Sequence, residues 1–291
     1  MRHNKTLKIV SKLFFIMIGK LFAFDAGGTF LKYGDFSGEK PILRFISNPI
    51  SKKLLDSNVK ITSKSELYLS GAGSEKISSW YPDNKIKIIP ELTATGLGGA
   101  YLAKINSAIV VNIGSGTPIL FVDKREKIVT HLAGTGMGSA TISGLAYFMT
   151  GLTNLEKINK IAINGDPSKV NLEVKDLYEN TTSLGLPGDI TASNFGKYQN
   201  WRVSEKESKA QQADILAGLH CMVAETIASI SVLASTKYSD LPIVLTGGGI
   251  LNPVLVKYLK KTFKYLDHEY IIPENAEYGT LHGILVSEGI I

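Results

Sequence analysis

A chain of 291 residues, 44% hydrophobic and 20% charged, has room for one large domain or two lobes around a packed core, and its composition excludes a disordered protein. The formal charge of +6 does not point to nucleic acid, because Arg2, Lys5, Lys8 and Lys12 stand in residues 1–16 without an acid and leave the remainder close to neutral. The single Cys221 excludes an intrachain disulfide and a cysteine-cluster metal site, and His3, His131, His220, His268 and His282 lack ligand spacing.

The basic tail and the apolar run 13–18 (LFFIMI) are similar to the first two parts of a signal peptide, but Lys20 interrupts the run and no small-residue cleavage pattern comes after it. The expectation is a cytoplasmic protein with no membrane contact, in which 1–16 is a loose extension or Met17 is the native start. Residues 20–29 (KLFAFDAGGT) then read as a buried strand ending at Asp25, followed by Gly27, Gly28 and Thr29. A Gly pair allows successive N–H groups to face an anion, and Asp25 at the strand's end suits a hydrated divalent cation. The same pattern is equally an ordinary hairpin turn, and on these residues alone both readings stand.

Residues 30–36 and 41–47 continue as an antiparallel meander. Residues 50–61 read as a short helix or loop, 67–70 as a strand, 75–81 as a helix and 86–89 as a strand stopping at Pro90-Glu91. The small-residue helix 92–104, with Gly96, Gly98 and Gly99, predicts close packing on a sheet.

At Ser107 the order starts again: strand 108–113, turn Gly114-Ser115-Gly116-Thr117, strand 118–123 and a third strand 127–132. Such a duplication implies two related lobes, 17–106 and 107–275, with a ligand site between them. Gly134, Gly136 and Gly138 form a glycine turn feeding a helix whose N-terminus is a further anion site. Two amphipathic helices are expected over 154–180, broken at Asn164-Gly165-Asp166-Pro167, then a polar loop 181–197 and a long alanine-rich helix 206–237. Strand 243–245 ends in Thr246-Gly247-Gly248-Gly249. Helix 252–266 carries Lys257, Lys260, Lys261 and Lys264 on a solvated face, strand 268–272 comes next, and 276–291 closes the chain as a helix packing back on the first lobe.

Three glycine turns after apolar strands, in this order, match the two phosphate turns and the adenosine turn of actin, the hexokinases and the heat-shock ATPases. Over 17–291 the chain resembles that superfamily, and it resembles the type II, eukaryote-like pantothenate kinases through FDAGGTFLK (24–32), PELTATGLGG (90–99), NIGSGT (112–117), GTGMG (134–138) and above all PGDITASNFG (187–196). The resemblance implies an α/β, duplicated ribonuclease H-like (actin-like ATPase) fold of two lobes with an ATP cleft between them. It also implies phosphorylation of pantothenate with ATP and Mg²⁺, a homodimer joined through the 206–237 helix, and coenzyme A or acyl-coenzyme A as a feedback ligand.

The resemblance assigns roles residue by residue. Asp25 would hold the metal through water, and Gly27, Gly28, Thr29, Gly114, Ser115, Gly116 and Thr117 would cradle phosphates, with Lys32 and the Gly134, Gly136, Gly138 loop assisting. Gly247, Gly248 and Gly249 would lie against adenosine. Glu91 matches the general base and, with Ser115, His131, Asp189, Thr191 and Asn194, the substrate-binding set. By residue type alone, Glu91 is also a helix N-terminal acid stabilised by the macrodipole, and Lys32 an exposed strand lysine.

One segment departs from the family. An R-V-G-G run stands before the GTGMG loop there, and its arginine helps bind the pantothenate carboxylate end or acyl-coenzyme A; here the residues are Val129-Thr130-His131-Leu132. Either His131, Lys127 or Arg125 takes its place, or the substrate or feedback inhibition has changed. Two other readings compete: a sugar or amino-sugar kinase, against which stand the glutamate base and the lack of cysteines for a zinc cluster, and a non-catalytic nucleotide- or coenzyme A-sensing protein.

Overall fold

In the computed structural model, which describes residues 20–179, 185–198, 211–238 and 240–291, the apolar run after Lys20 becomes β1 (Leu21–Ala26), buried along its whole length. The expected extension 1–16 lies outside the described residues. β1 is buried because it is the central strand of five. β2 (Phe30–Asp35) and β3 (Ile42–Ser47) pair antiparallel on one side, as the meander predicts, and β4 (Glu66–Ser70) and β5 (Lys85–Ile88) pair parallel on the other. Between them lie α1 (Lys52–Asn58), whose N-cap Ser51 accepts from the Leu54 N–H, and α2 (Ser74–Trp80). After β5 comes α3 (Glu91–Leu102).

The second half repeats the plan. β6 (Ser107–Asn112), β7 (Thr117–Asp123) and β8 (Ile128–Thr135) form the antiparallel meander, and after α4 (Ser139–Thr150) and α5 (Leu155–Ala162) the chain makes the small ribbon β9 (Leu172–Glu173) and β10 (Thr191–Ser193). α6 (Gln212–Ser235), β11 (Ile243–Thr246), α7 (Pro253–Tyr265), β12 (Tyr270–Ile271) and α8 (Gly279–Ser287) complete it. β11 runs parallel to both β6 and β12, so the sheet order β8-β7-β6-β11-β12 repeats β3-β2-β1-β4-β5. This is the duplicated two-lobe α/β fold that the internal repeat predicts.

α6 is the core helix of the second lobe, where Leu216, Leu219, Val223 and Ile227 pack with Ile109, Val111 and Leu245. Among the described residues, 212–238 is the one helical stretch long and apolar enough to cross a membrane, but 61% of its most apolar window is buried inside the lobe. Its expected beginning at 206 lies outside the described residues.

Two expectations need correction. The second helix expected within 154–180 is absent from 165–179, where 3₁₀ turns flank β9. Residues 170–174 are buried throughout, and the segment takes its partners from the 187–196 stretch: Thr191 pairs with Glu173, and the Phe195 N–H donates to Asn171 Oδ1 at 2.9 Å. The third strand of the second meander extends to Thr135, so Gly134 sits in β8 opposite Pro118 rather than in a turn.

The lobes are joined where α3 crosses α8. A Cβ on Gly98 would lie 1.8 Å from the Gly279 carbonyl oxygen, and one on Gly283 would lie 1.7 Å from that of Ala94, so the helices meet backbone to backbone. Beyond the crossing, Leu97 and Ala100 of α3 pack with Val110, Leu120 and Val122 of the second sheet. Leu281, Ile284 and Leu285 of α8 pack with Leu21 and Ala23 of the first. Each half therefore lends its last helix to the other half's sheet. Gly98→Ala or Gly283→Ala is expected to destabilise the fold by about 3 kcal/mol or more through overpacking. Gly144→Ala on α4, where a Cβ meets nothing within 4 Å, is expected to stabilise it slightly. Thermal melting of the three variants checks the contrast.

Candidate active site

Between the two sheets lies a cavity of about 590 Å³ whose walls come from both halves. The first wall is the β1–β2 hairpin. Asp25, 6% exposed, sits one residue before the end of β1, opposite Lys32 in the ladder, and Lys32 Nζ is 3.3 Å from Asp25 Oδ2. Gly27, Gly28 and Thr29 form the turn itself, and the N–H groups of Gly28 and Thr29 have no acceptor among the described residues. Those donors face solvent or a ligand, which is the requirement of an anion site.

The second wall is the β6–β7 hairpin, with Gly114, Ser115, Gly116 and Thr117 on the cavity. The Gly114 N–H closes on the Gly116 carbonyl at 2.9 Å, and Thr117 Oγ1 donates to the Met137 carbonyl at 2.8 Å. Ser139, at the first turn of α4, donates from both its N–H (2.9 Å) and its Oγ (2.8 Å) to the Gly114 carbonyl. The Ser115 and Gly116 N–H groups are again without acceptors among the described residues. Thr29 Oγ1 and Ser115 Oγ stand 3.1 Å apart, so the two turns meet across the cleft.

The third turn comes after β11. Gly247 has φ +91°, a conformation that suits glycine, and its N–H donates to the Ala276 carbonyl at 3.1 Å. The Gly249 N–H donates to the Ile113 carbonyl at 2.7 Å, which leaves Gly248 as the member of this turn that lines the cavity. Gly138 likewise stands behind the second turn, against the Gly114 and Ser115 carbonyls, while Gly134 and Gly136 line the cavity.

Glu91 opens α3 immediately after Pro90, with its carboxylate at the cavity. The residue keeps access to solvent, yet the cleft walls desolvate its carboxyl and push its pKa above the ordinary glutamate value. The charge of Asp25 adds to the rise and Lys32 opposes it.

His131 of β8 lines the cavity, and its two rivals for the missing arginine's place do not. Lys127 Nζ donates to the Ser287 carbonyl at 2.8 Å, and the Arg125 guanidinium lies against the Asn106 side-chain amide, whose oxygen, with the amide turned to face it, accepts at 3.1 and 2.9 Å. Asp189, Thr191 and Asn194, expected in the substrate site, are not on this cavity. Thr191 Oγ1 donates to Glu225 Oε1 of α6 at 2.6 Å, Asn194 Nδ2 to Glu225 Oε2 at 3.3 Å, and Asp189 pairs with Lys261 of α7 at 3.1 Å. The β9–β10 pairing holds this stretch against α6 and α7. Sequence reasoning missed Phe30, Asn112, Pro118, Thr135, Ser139, Leu155 and Thr280 on the cavity walls. Asn112 was within reach, since it occupies in the second half the place Asp25 holds in the first.

Comparison with known proteins bears on this arrangement. The Fumble family model matches residues 99–272. A type II pantothenate kinase of Bacillus cereus is 31% identical over 240 residues, 79% of this chain and 83% of that protein. One from Staphylococcus epidermidis is 26% identical over 249 residues, 83% and 90% of the two chains. The chain belongs to the Fumble family of type II pantothenate kinases. Solved structures place the fold among the actin-like ATPases. The activator of 2-hydroxyisocaproyl-CoA dehydratase from Clostridium difficile, with bound ADPNP, superposes with TM-score 0.55 at 15% identity over 92% of this chain and 94% of that one. Component A of (R)-2-hydroxyglutaryl-CoA dehydratase from Acidaminococcus fermentans gives 0.56 at 12% identity, over 92% and 96%.

The Fumble match begins after Asp25, the 27–29 turn and Glu91, so that match by itself does not bear on those residues. Glu91 is expected to titrate above the ordinary glutamate range, with Lys32→Met moving it further up and Asp25→Asn moving it down. Carboxyl-carbon NMR titration of wild type and the two variants reads these signs directly.

Proposed function

We propose that this chain transfers the γ-phosphoryl group of ATP to the primary hydroxyl of pantothenate, giving 4'-phosphopantothenate at the entry to coenzyme A synthesis. The observation that carries the reading is the convergence of a raised-pKa carboxylate, Glu91, and two turns with free N–H donors on one cleft. Phosphoryl transfer needs positioned donors on the phosphate oxygens and a base for the attacking hydroxyl. Gly28, Thr29, Ser115 and Gly116 supply the donors. Gly248 leaves room for adenosine without a side chain intervening. Glu91 takes the proton as the hydroxyl oxygen bonds to the γ-phosphorus and the bond to ADP breaks.

Asp25 suits Mg²⁺ held through water, since its nearly buried carboxylate has Lys32 as its one ion-pair partner among the described residues and shares the cavity with the hard oxygen donors Thr29 and Ser115. Mg²⁺ supplies neutralisation of phosphate charge when bound. His131 faces the acceptor's carboxylate in place of the family arginine. Coenzyme A and its acyl esters carry both an adenine nucleotide and the pantothenate moiety, and would compete for the same cleft as feedback ligands. The assembly we expect is a cytoplasmic homodimer. Since the core consumes most of α6, its contact would use the outer end, where Leu233 is 69% exposed.

The test is ADP release with pantothenate, pantetheine, glucose and N-acetylglucosamine as acceptors. Pantothenate-dependent turnover is expected, and Glu91→Gln is expected to lower kcat by about 10²-fold or more with ATP affinity retained. Turnover of a sugar alone replaces this reading with a sugar kinase, and silence with every acceptor replaces it with a binding protein. His131→Ala is expected to raise the KM for pantothenate several-fold while leaving that for ATP, and for pantothenol, which lacks the carboxylate, unchanged. Steady-state kinetics with each substrate varied in turn decides it.

A further inference from the structure

A residue outside the cleft, Asn48, holds the backbone of the first turn. It stands just past the end of β3, and its side-chain Nδ2 donates to the carbonyl oxygens of Gly27 (2.8 Å) and Gly28 (2.7 Å). Its own backbone N–H donates to the Thr29 carbonyl at 3.0 Å. One residue therefore gathers three consecutive carbonyls to the same side. In a trans peptide the carbonyl and the following N–H point in opposite directions. Drawing the Gly27 and Gly28 carbonyls toward Asn48 turns the Gly28 and Thr29 N–H groups away from it, and these are the groups left without an acceptor among the described residues.

We infer that Asn48 is a positioning residue for the β- and γ-phosphates of the nucleotide: it fixes the peptide planes of the 27–29 turn so that N–H groups, and not carbonyl oxygens, face the cleft. A turn with two glycines has little conformational preference of its own, and a flipped peptide would present a carbonyl to the phosphates and repel them. The second half solves part of the same problem by another route, since Ser139 holds the Gly114 carbonyl with its N–H and Oγ and so turns away the Ser115 N–H, which has no acceptor among the described residues. The two halves share the device without sharing the residue. Asn48 meets the demand because an amide NH₂ carries two donors, enough for both glycine carbonyls.

The inference rests on the turn being a phosphate site and not on the identity of the acceptor. Calorimetric titration of the full chain with Mg²⁺ and β,γ-imido-ATP, and separately with AMP, tests it on wild type, Asn48→Ala and Asn48→Asp. Asn48→Asp keeps the shape, removes both N–H donors and sets a carboxylate against two carbonyls, so donor loss is separated from loss of packing. The expected order of β,γ-imido-ATP affinity is wild type, then Asn48→Ala weaker by about tenfold, then Asn48→Asp weaker still. AMP affinity, which does not involve the outer phosphates, stays within about twofold, and the KM for ATP rises while that for pantothenate does not. Equal losses for both nucleotides, or wild-type affinity in both variants, overturns the inference. A wild type that binds no β,γ-imido-ATP overturns the nucleotide reading along with it.

Discussion

The backbone contact between α3 and α8 is the constraint on which the cleft depends. Gly98 against Gly279, and Gly283 against Ala94, bring the helices closer than any side chain would permit. Each helix is the last element of its half and rests on the other half's sheet, so the two lobes share one joint. Glu91 stands at the N-terminus of α3 and Thr280 at that of α8, and both reach the cavity from that joint. Thr95 Oγ1 and Thr280 Oγ1, 3.2 Å apart and buried, tie the two helices by a hydrogen bond at the same level. A crossing this close fixes the distance from Glu91 to the two hairpins more tightly than a side-chain interface could, because there is no rotamer to change.

The hairpins themselves are organised by what happens to their carbonyls. Among the described residues the Gly28, Thr29, Ser115 and Gly116 N–H groups are unpaired, which is tolerable only where water or a ligand can reach them. Asp25 and Glu91 set two carboxylates in the same cleft, and Lys32 offsets the first directly and the second at longer range. The balance leaves Asp25 paired and Glu91 with a raised proton affinity. The two acids thus meet different surroundings in one site.

Much of this was legible in the sequence. Apolar strands broken by Gly-Gly-Thr and Gly-Ser-Gly-Thr exposed the duplication, and the repeat of sheet order came with it. Pro90-Glu91 between a strand and a small-residue helix put Glu91 at a helix start. The contacts that escaped were those made by single side chains on distant backbone. Asn48 and Ser139 belong to no periodic pattern, and nothing in their local sequence says which carbonyl they will meet. The 165–179 segment misled because Asn-Gly-Asp-Pro marks the end of one helix without specifying the conformation of the next residues, whose strand character appears only with the 187–196 stretch as partner. In that stretch Thr191 Oγ1 and Asn194 Nδ2 donate to Glu225 rather than to the cleft.

If His131 faces the acceptor's carboxylate as proposed, its chemistry sets how the acceptor is held. Lys32 and His131 are the basic residues that line the cavity, and Lys32 is engaged with Asp25. An arginine would offer a carboxylate a planar fork of donors with a fixed charge, whereas an imidazole offers at most two donors pointing in different directions. A single imidazole N–H defines the distance of a carboxylate but not its plane. On the proposed reading the acceptor would then be oriented by its other end, where the hydroxyl would meet Glu91, and by the walls between, Phe30 and Pro118 among them. On the proposed reading, the fixed point for the acceptor would lie at the reacting hydroxyl and not at its carboxylate, so that recognition would fall on the residue that also carries the chemistry.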